Sequence, residues 1–482
     1  MAFKKIKFQI VFLIIIGFLV YFNSINAPFI YDDNALVVNN VLIRSFSNIP
    51  VLFKDIFHLE IMGDSFRPLQ PISYMMDYKI WGLHPLGYHL TNIIIHIFNT
   101  ILLYFLALLL IKKRVPAFLT ALFFLIHPVN TPAVSYVSGR ADLLAGLFFL
   151  LSLLLYISFL ESRKILLILS ALPLFALGVL SKEIVLISPL IFICYEIIFK
   201  GKVSKAIWPF ILVSLAYIFL RSIALLPFAG CPVSLRMRFL TFPVLFFKYL
   251  GIIFFPVNLR LSYAVNFVSS FQSLGFIIPL LLLMLVIGSG VYLVKNKKPQ
   301  LFGLLWYLIN FAFISNVVYP LNAPFAEHWL YLGLAGILFF IIPVVTEVLS
   351  KKNNFMRRGI VLIFCFAVFY SFLTIRRNRE WSDEVRFYNK EIRFTPANFK
   401  AHFNLGLAYF NRKDYFKAEE EFKKVLNFNP NLSAALFMLG LINEQKKDFK
   451  QAIYCYREVL KKDPGFTPAQ ARLKVLQLES LK

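Results

Sequence analysis

A chain of 482 residues that is 59% hydrophobic and only 16% charged, with a mean hydropathy of +0.72, is too apolar to fold as a soluble globule. Its formal net charge of +25 would suggest nucleic acid in a soluble protein. Here the basic residues cluster between apolar runs instead: KKIK at 4–7, KKR at 112–114, RK at 163–164, KGKVSK at 200–205, KNKK at 295–298, and KK with RR between 351 and 358. That is the positive-inside pattern of a polytopic membrane protein, with cationic loops against anionic lipid, and it excludes nucleic acid as the partner. Cys194, Cys231, Cys365 and Cys455 form no CxxC pair and read as packing residues.

The first apolar segment has the basic start of a signal peptide, but NSINAPF is a poor cleavage site, and the segment reads as an uncleaved anchor. Apolar runs of roughly 15 to 22 residues, the length a bilayer requires, predict eleven spans. They lie at 9–22, 90–111, 116–133, 141–160, 165–180, 184–199, 206–222, 272–294, 301–317, 328–348 and 359–375. With the first basic cluster inside, every other cluster also falls inside. The apolar run 239–256 would break that rule as a full crossing, and its internal Pro243 and Lys248 favour a re-entrant or interfacial helix. The domain expected over 1–375 therefore carries a long extracytoplasmic first loop, 23–89, with short amphipathic helices on the membrane surface.

On that outer face sit Asp32 and Asp33, directly after the first span, together with HPVNTPAVSYVSGRAD (127–142), SKE (181–183) and NAPFAEHWLY (322–331). Ionisable groups at span ends are costly beside lipid and mark function. His84, His89, His96 and His127 show no metal-triad spacing.

After a linker and half repeat over 376–398 the pattern changes. Leu405 and Gly406 recur as Leu439 and Gly440, Ala418 as Ala452, Phe422 as Tyr456, and Pro430 as Pro464, each 34 residues on. This is the tetratricopeptide period, in which small residues let paired helices approach closely. Two repeats (399–432 and 433–466) and a capping helix fill 399–482, with His402, Leu436 and Asn443 standing at positions usually aromatic. The fold class expected is all-α: a transmembrane helical domain followed by a repeat α-solenoid, whose role is either a structural cap or a groove for a protein or peptide.

The order of FIYDDN, RPL, YHLTNIIIH, HPVNTPAVSYVSGRADLLAGLFFLLSLLLY, SKE, FAEHWLYL and trailing repeats resembles the transmembrane and tetratricopeptide-repeat O-mannosyltransferases, members of the GT-C class of glycosyltransferases. The resemblance implies transfer of a sugar, typically mannose, from a polyprenyl-phosphate carrier to a serine or threonine hydroxyl outside the cytosol. Three positions depart from the family pattern, Pro132, Ser262 and His328, which loosens the inference to carrier and sugar more than to reaction type. Richness in Ile, Lys, Phe and Asn and the short repeat array suit a prokaryotic member in the cytoplasmic membrane.

The chemistry assigns roles to these residues. A hydroxyl attacking an anomeric carbon must lose its proton, and Asp32 is the expected base. One displacement with one base and no covalent sugar intermediate inverts the anomeric centre. Asp33 orients Asp32, a donor group or a divalent cation; adjacent aspartates alone leave a metal open. The leaving polyprenyl phosphate gathers negative charge that cations at a dry boundary stabilise. Arg67, Arg140, Lys182 and His328 are the candidates, with Glu183 beside Lys182, and Glu327 holding His328 or the carrier. Arg140 and Asp142 could alternatively form a structural ion pair. Competing readings are a GT-C enzyme acting on a lipid or surface polysaccharide, a membrane-anchored repeat scaffold, and a transporter, which would carry its ionisable groups at mid-membrane.

Overall fold

A computed structural model describes residues 2–54, 66–224, 233–261, 263, 265–318, 321, 323–350 and 353–479. Cys231, Ser262, Asn322, Lys351 and Lys352, singled out in the sequence, lie outside them. Among the described residues all regular structure is helical. Contacts divide the chain into two units, 1–382 and 383–482.

The first unit runs through α1 (Ala2–Tyr21), α2 (Ile49–Lys54), α3 (Leu69–Trp81), α4 (Pro85–Ile111), α5 (Arg114–Ile126), α6 (Thr131–Val134) and α7 (Arg140–Ser162). It continues with α8 (Ile165–Ser181), α9 (Ser188–Tyr195), α10 (Trp208–Ala224), α11 (Leu235–Phe254), α12 (Leu274–Val294), α13 (Lys298–Ile314), α14 (Leu330–Ser350) and α15 (Asn353–Trp381). Among the described residues eight helices are long and apolar enough to cross a bilayer, or nine if the pair Arg114–Ile126 and Pro128–Val134, bent by 49°, counts as one span. This is a multi-pass membrane protein.

Several expected spans take shorter or broken forms. The run predicted at 116–133 bends at His127, where Pro128 cannot donate to the helical ladder. The run at 184–199 resolves into a 3₁₀ turn (Glu183–Ile187), the eight-residue α9 and a π turn (Glu196–Lys200).

The basic clusters close the hairpins. α4 and α5 are joined through Lys112, and α7 and α8 through Arg163, both in the left-handed region with φ 58°. Two-residue connections force antiparallel neighbours, so the basic turns gather at one end of the bundle. Ion pairs Lys200–Glu161 and Lys297–Glu347 tie that basic end together. The Asp32–Asp33 loop and the starts of α4, α7 and α14 lie at the other, distal end.

By length and composition α11 could also cross. It is one continuous helix despite Pro243 and stands among the eight candidate spans. Near its start Arg238 donates to the Asn316 carbonyl just past α13 (2.6 Å), and near its finish the Ile253 carbonyl accepts from His127 just past α5 (2.9 Å).

Inside the bundle α4 carries a polar stripe at helical spacing. Asn92 donates to carbonyls at Val134 and Tyr136, His96 donates to the Leu125 carbonyl (3.1 Å) and bonds Tyr331, and Asn99 donates to the Leu143 carbonyl (2.9 Å). With lipid as solvent, such interhelical bonds and close backbone packing replace the hydrophobic drive. α13 and α14 show the packing: a Cβ on Gly336 would lie 2.7 Å from the Tyr307 backbone nitrogen. His89 and His96 are both buried and bond within the protein, His89 to the Ala27 carbonyl.

The first loop has a small core of its own, with Phe29, Val37, Ile43, Leu52, Tyr74, Met75 and Tyr88 packed together at the distal end.

The second unit stacks α16 (Glu384–Phe394), α17 (Phe399–Asn411), α18 (Tyr415–Phe428), α19 (Ser433–Gln445), α20 (Phe449–Lys462) and α21 (Thr467–Glu479). Phe422 and Tyr456, 34 residues apart, are each fully buried in their helix pairs. His402 fills its atypical position by bonding Glu421 (2.6 Å) and the Pro396 carbonyl (2.9 Å) and stacking on Phe428.

Candidate active site

The chain leaves α1 through a 3₁₀ turn and reverses at Tyr31, whose φ of 53° is sterically unusual for a non-glycine residue. That turn splits the two aspartates: Asp32 is exposed and Asp33 is fully buried. Asp33 Oδ1 accepts from the Ser138 backbone N–H (2.8 Å) and the Ser138 hydroxyl, and Oδ2 accepts from the Ile30 N–H (3.2 Å). Burial pushes the Asp33 carboxyl up to about 7 despite these three donors, and neighbouring Asp32 adds to the rise. Asp32 is held through its backbone, whose N–H donates to the Tyr136 hydroxyl (3.0 Å). Asp33 therefore anchors the turn that presents Asp32. A cation at this pair would rest mainly on Asp32, because Asp33 already spends its lone pairs inward.

The turn opening α7 distributes the rest of the site. Ser138 holds Asp33; Arg140 reaches Asp77; Asp142 takes Lys182 on both carboxylate oxygens (2.6 and 2.7 Å). Four residues from Ser138 to Asp142 span about 6 Å of helical rise, so the aspartate turn and the cations around Lys182 are close neighbours. Gly139 makes the turn possible, since a Cβ there would meet the Pro132 carbonyl oxygen at 2.2 Å.

Arg140 and Asp142 do not pair with each other, which corrects that alternative. The Arg140 guanidinium is fully buried. It donates to Asn92 (2.7 Å), Asp77 and the Tyr88 carbonyl (2.7 Å) and stacks on the Tyr74 ring. With its donors directed inward it ties α3 and α4 to the start of α7.

Around Lys182 the structure gathers more charge than the sequence indicated. Glu183 Oε2 accepts from both Arg67 Nε (3.1 Å) and Nη2 (2.9 Å), while Oε1 accepts from Arg221 (2.8 Å). Burial alone would raise the Glu183 carboxyl, but the two guanidiniums outweigh it and hold it down to about 2. His328 stands within electrostatic reach of Lys182 and Arg67. Glu327 holds the Tyr263 hydroxyl (2.8 Å), the Arg260 backbone and Arg377 (3.5 Å), not His328. Arg377 lies over the Trp381 ring, and Trp381 stacks on Tyr136, the residue that holds Asp32. The four distal loops thus meet in one constellation.

Arg221, Arg377 and Ser138 were not singled out in the sequence. The two arginines carry a readable signal: each is a cation at the end of an apolar helix remote from the basic clusters, against the positive-inside pattern. Ser138 carries none, because only the turn brings it to Asp33. Among the described residues no three His, Cys, Asp or Glu groups converge as metal ligands would.

The tetratricopeptide repeat family matches residues 399–432 and 433–466. Along the larger part of the chain, the protein O-mannosyl-transferase F38B6.6 of Caenorhabditis elegans is 27% identical over 428 residues, 83% of this chain and 59% of that protein. Along most of its length this chain is similar to proteins named protein O-mannosyl-transferases. The human protein O-mannosyl-transferase TMTC3 is 24% identical over 457 residues, 83% of this chain and 49% of its own length. Human protein O-mannosyl-transferase TMTC2 is 35% identical over a shorter stretch of 153 residues, 31% of this chain and 18% of its own length. The chain thus spans only about half the length of the relatives that it matches along most of its own, 59% of the worm protein and 49% of human TMTC3. All three are animal proteins, so the prokaryotic host expected from composition finds no support among these O-mannosyl-transferases.

Proposed function

We propose that this chain is an integral-membrane GT-C glycosyltransferase that moves a sugar, mannose, from a polyprenyl-phosphate carrier to a serine or threonine hydroxyl of a protein. The reaction takes place at the distal end, read as the extracytoplasmic face by the positive-inside rule, since the basic turns lie at the opposite end. The observation that carries the reading is the division of labour between adjacent aspartates: Asp33 buried and anchored by Ser138, Asp32 exposed on the same turn.

Asp32 takes the proton from the acceptor hydroxyl as its oxygen bonds to the anomeric carbon, and the bond from that carbon to the phosphate oxygen breaks. A single displacement from the face opposite the leaving group inverts the centre. Charge gathering on the departing phosphate is met by Lys182, Arg67 and Arg221, with the neutral imidazole of His328 beside them as a hydrogen-bond donor. Their net cationic character survives the carboxylates of Asp142 and Glu183, and a partly desolvated boundary strengthens it. Asp33 acts on Asp32 as a positioning residue. The repeat unit, 399–482, receives the polypeptide acceptor.

The test is sugar transfer by the full chain in nanodiscs, with polyprenyl-phosphate mannose and a set of extracytoplasmic proteins, for wild type and Asp32→Asn. Transfer to protein that disappears in a folded Asp32→Asn variant supports the assignment. Equal transfer by both removes Asp32 as base. Transfer only to lipid or polysaccharide replaces the acceptor class.

A further inference from the structure

A large cavity lies at the basic end, away from every residue assigned above. It encloses about 900 Å³ among α5, α13, α14 and α15, with walls of Val115, Phe118, Leu119, Pro343, Leu349 and Ile360. A second cavity of about 200 Å³ shares Leu119, Thr346 and Ile363 with it and runs on toward His127 and Tyr370. The two form one apolar groove climbing the side of the bundle. Its mouth is different in kind. Lys113, Lys297 and Lys298 line it, opposed by the carboxylate of Glu347, which holds Lys297 at 2.8 Å.

We propose that this groove binds an acidic glycerophospholipid of the basic-side leaflet, its headgroup phosphate at Lys113, Lys297 and Lys298 and an acyl chain lying along the apolar walls toward His127. Three ammonium groups against one carboxylate leave the mouth cationic, and basic pockets between membrane helices on that side recognise acidic headgroups. The volume is within the range of specific ligand sites. The polyprenyl-phosphate carrier is the other anionic lipid to consider. Its phosphate must reach the anomeric carbon at Asp32, and a phosphate held by Lys297 at the opposite end cannot do so. The groove is therefore a structural or regulatory lipid site separate from the donor site. It also accounts for Glu347, which tunes the mouth by engaging one of its three lysines.

The experiment is native mass spectrometry of the full chain released from nanodiscs containing phosphatidylglycerol, phosphatidylcholine or both, with retained lipid titrated for each variant. Wild type retains phosphatidylglycerol in preference to phosphatidylcholine. Lys298→Gln weakens that retention on the order of fivefold, and adding Lys113→Gln weakens it by a similar factor again. Glu347→Gln strengthens it, the sign opposite to the lysine variants. A purely structural Lys297–Glu347 bridge would instead make Glu347→Gln weaken retention through lost stability and leave retention indifferent to Lys298→Gln and Lys113→Gln. Equal retention of the two phospholipids, indifference to the lysines, or displacement of phosphatidylglycerol by a polyprenyl phosphate would each overturn the proposal. Val115→Trp, which fills the groove without touching a charge, lowers retention; unchanged retention in that variant would overturn the acyl-chain placement.

Discussion

Asp33 and Ser138, 105 residues apart in sequence, are joined by two hydrogen bonds that converge on one oxygen: the Ser138 backbone N–H and its hydroxyl both donate to Asp33 Oδ1. This junction welds the loop after α1 to the start of α7 and fixes the direction in which Asp32 emerges. The two aspartates of one dipeptide consequently fail in different ways when altered.

Asp32→Asn is expected to leave the melting temperature close to wild type, because the side chain is exposed, while transfer falls by about 10²–10⁴, the usual worth of a general base. Asp33→Asn sets an amide N–H against a backbone or hydroxyl donor and should lower stability by about 1–3 kcal/mol. Paired thermal denaturation and transfer assays separate the two outcomes.

Stability should depend on pH through Asp33 in a direction opposite to the usual paired carboxylate. Its folded value is about 7 against 3.8 unfolded, so between these values the native state keeps a proton that the unfolded chain has released. Stability then falls as pH rises from about 4 to 7 and levels off above. Glu183, held down to about 2 from 4.5, contributes stability above pH 4.5 that is lost as pH drops toward 2. Melting curves from pH 5 to 8 should show a downward slope that Asp33→Asn flattens; an unchanged slope would remove Asp33 as its source.

Arg140→Met strands the Asp77 carboxylate in a buried site. Breaking such a pair from one side costs about 3–5 kcal/mol, and the double variant Arg140→Met with Asp77→Asn should recover part of the loss. Recovery of folding in the double variant, measured by thermal denaturation, distinguishes this positioning role from one in carrier binding.

Arg221→Gln removes one cation from the Glu183 cluster while leaving the Arg67 pair in place. Donor-dependent kcat/KM is expected to fall by about 10–100-fold, below the full effect of removing a dedicated transition-state donor. Lys295→Gln, at the basic end, is the control and should leave kcat/KM unchanged.

Gly139→Ala brings a Cβ against the Pro132 carbonyl oxygen and the Ala133 backbone at 2.2 to 2.8 Å, neither of which can yield like a flexible side chain. The turn must shift, carrying Ser138 from Asp33. Both stability and transfer should drop together, in contrast to Asp32→Asn, where only transfer drops.

Much of this was legible in the sequence because it depends on local pattern. Runs of apolar residues at bilayer length, basic residues at alternate turns, and a 34-residue repeat with Phe422 and Tyr456 in register are properties of neighbouring positions, and the bilayer and helix geometry convert them directly into elements. The aspartate pair at Asp32 and Asp33 was visible for the same reason: adjacent carboxylates directly after an apolar span stand out in the local pattern. Partnership was not visible. Arg140 and Asp142 look like a pair at their spacing, yet one turns to Asp77 and the other to Lys182, because the approach of α3 and α8 to α7 decides which charge each side chain meets. Which aspartate is buried and why Arg221 joins Glu183 follow from the same cause. Hydrogen bonds and ion pairs reach only a few ångströms, and only the packed bundle decides which distant residues come within that reach.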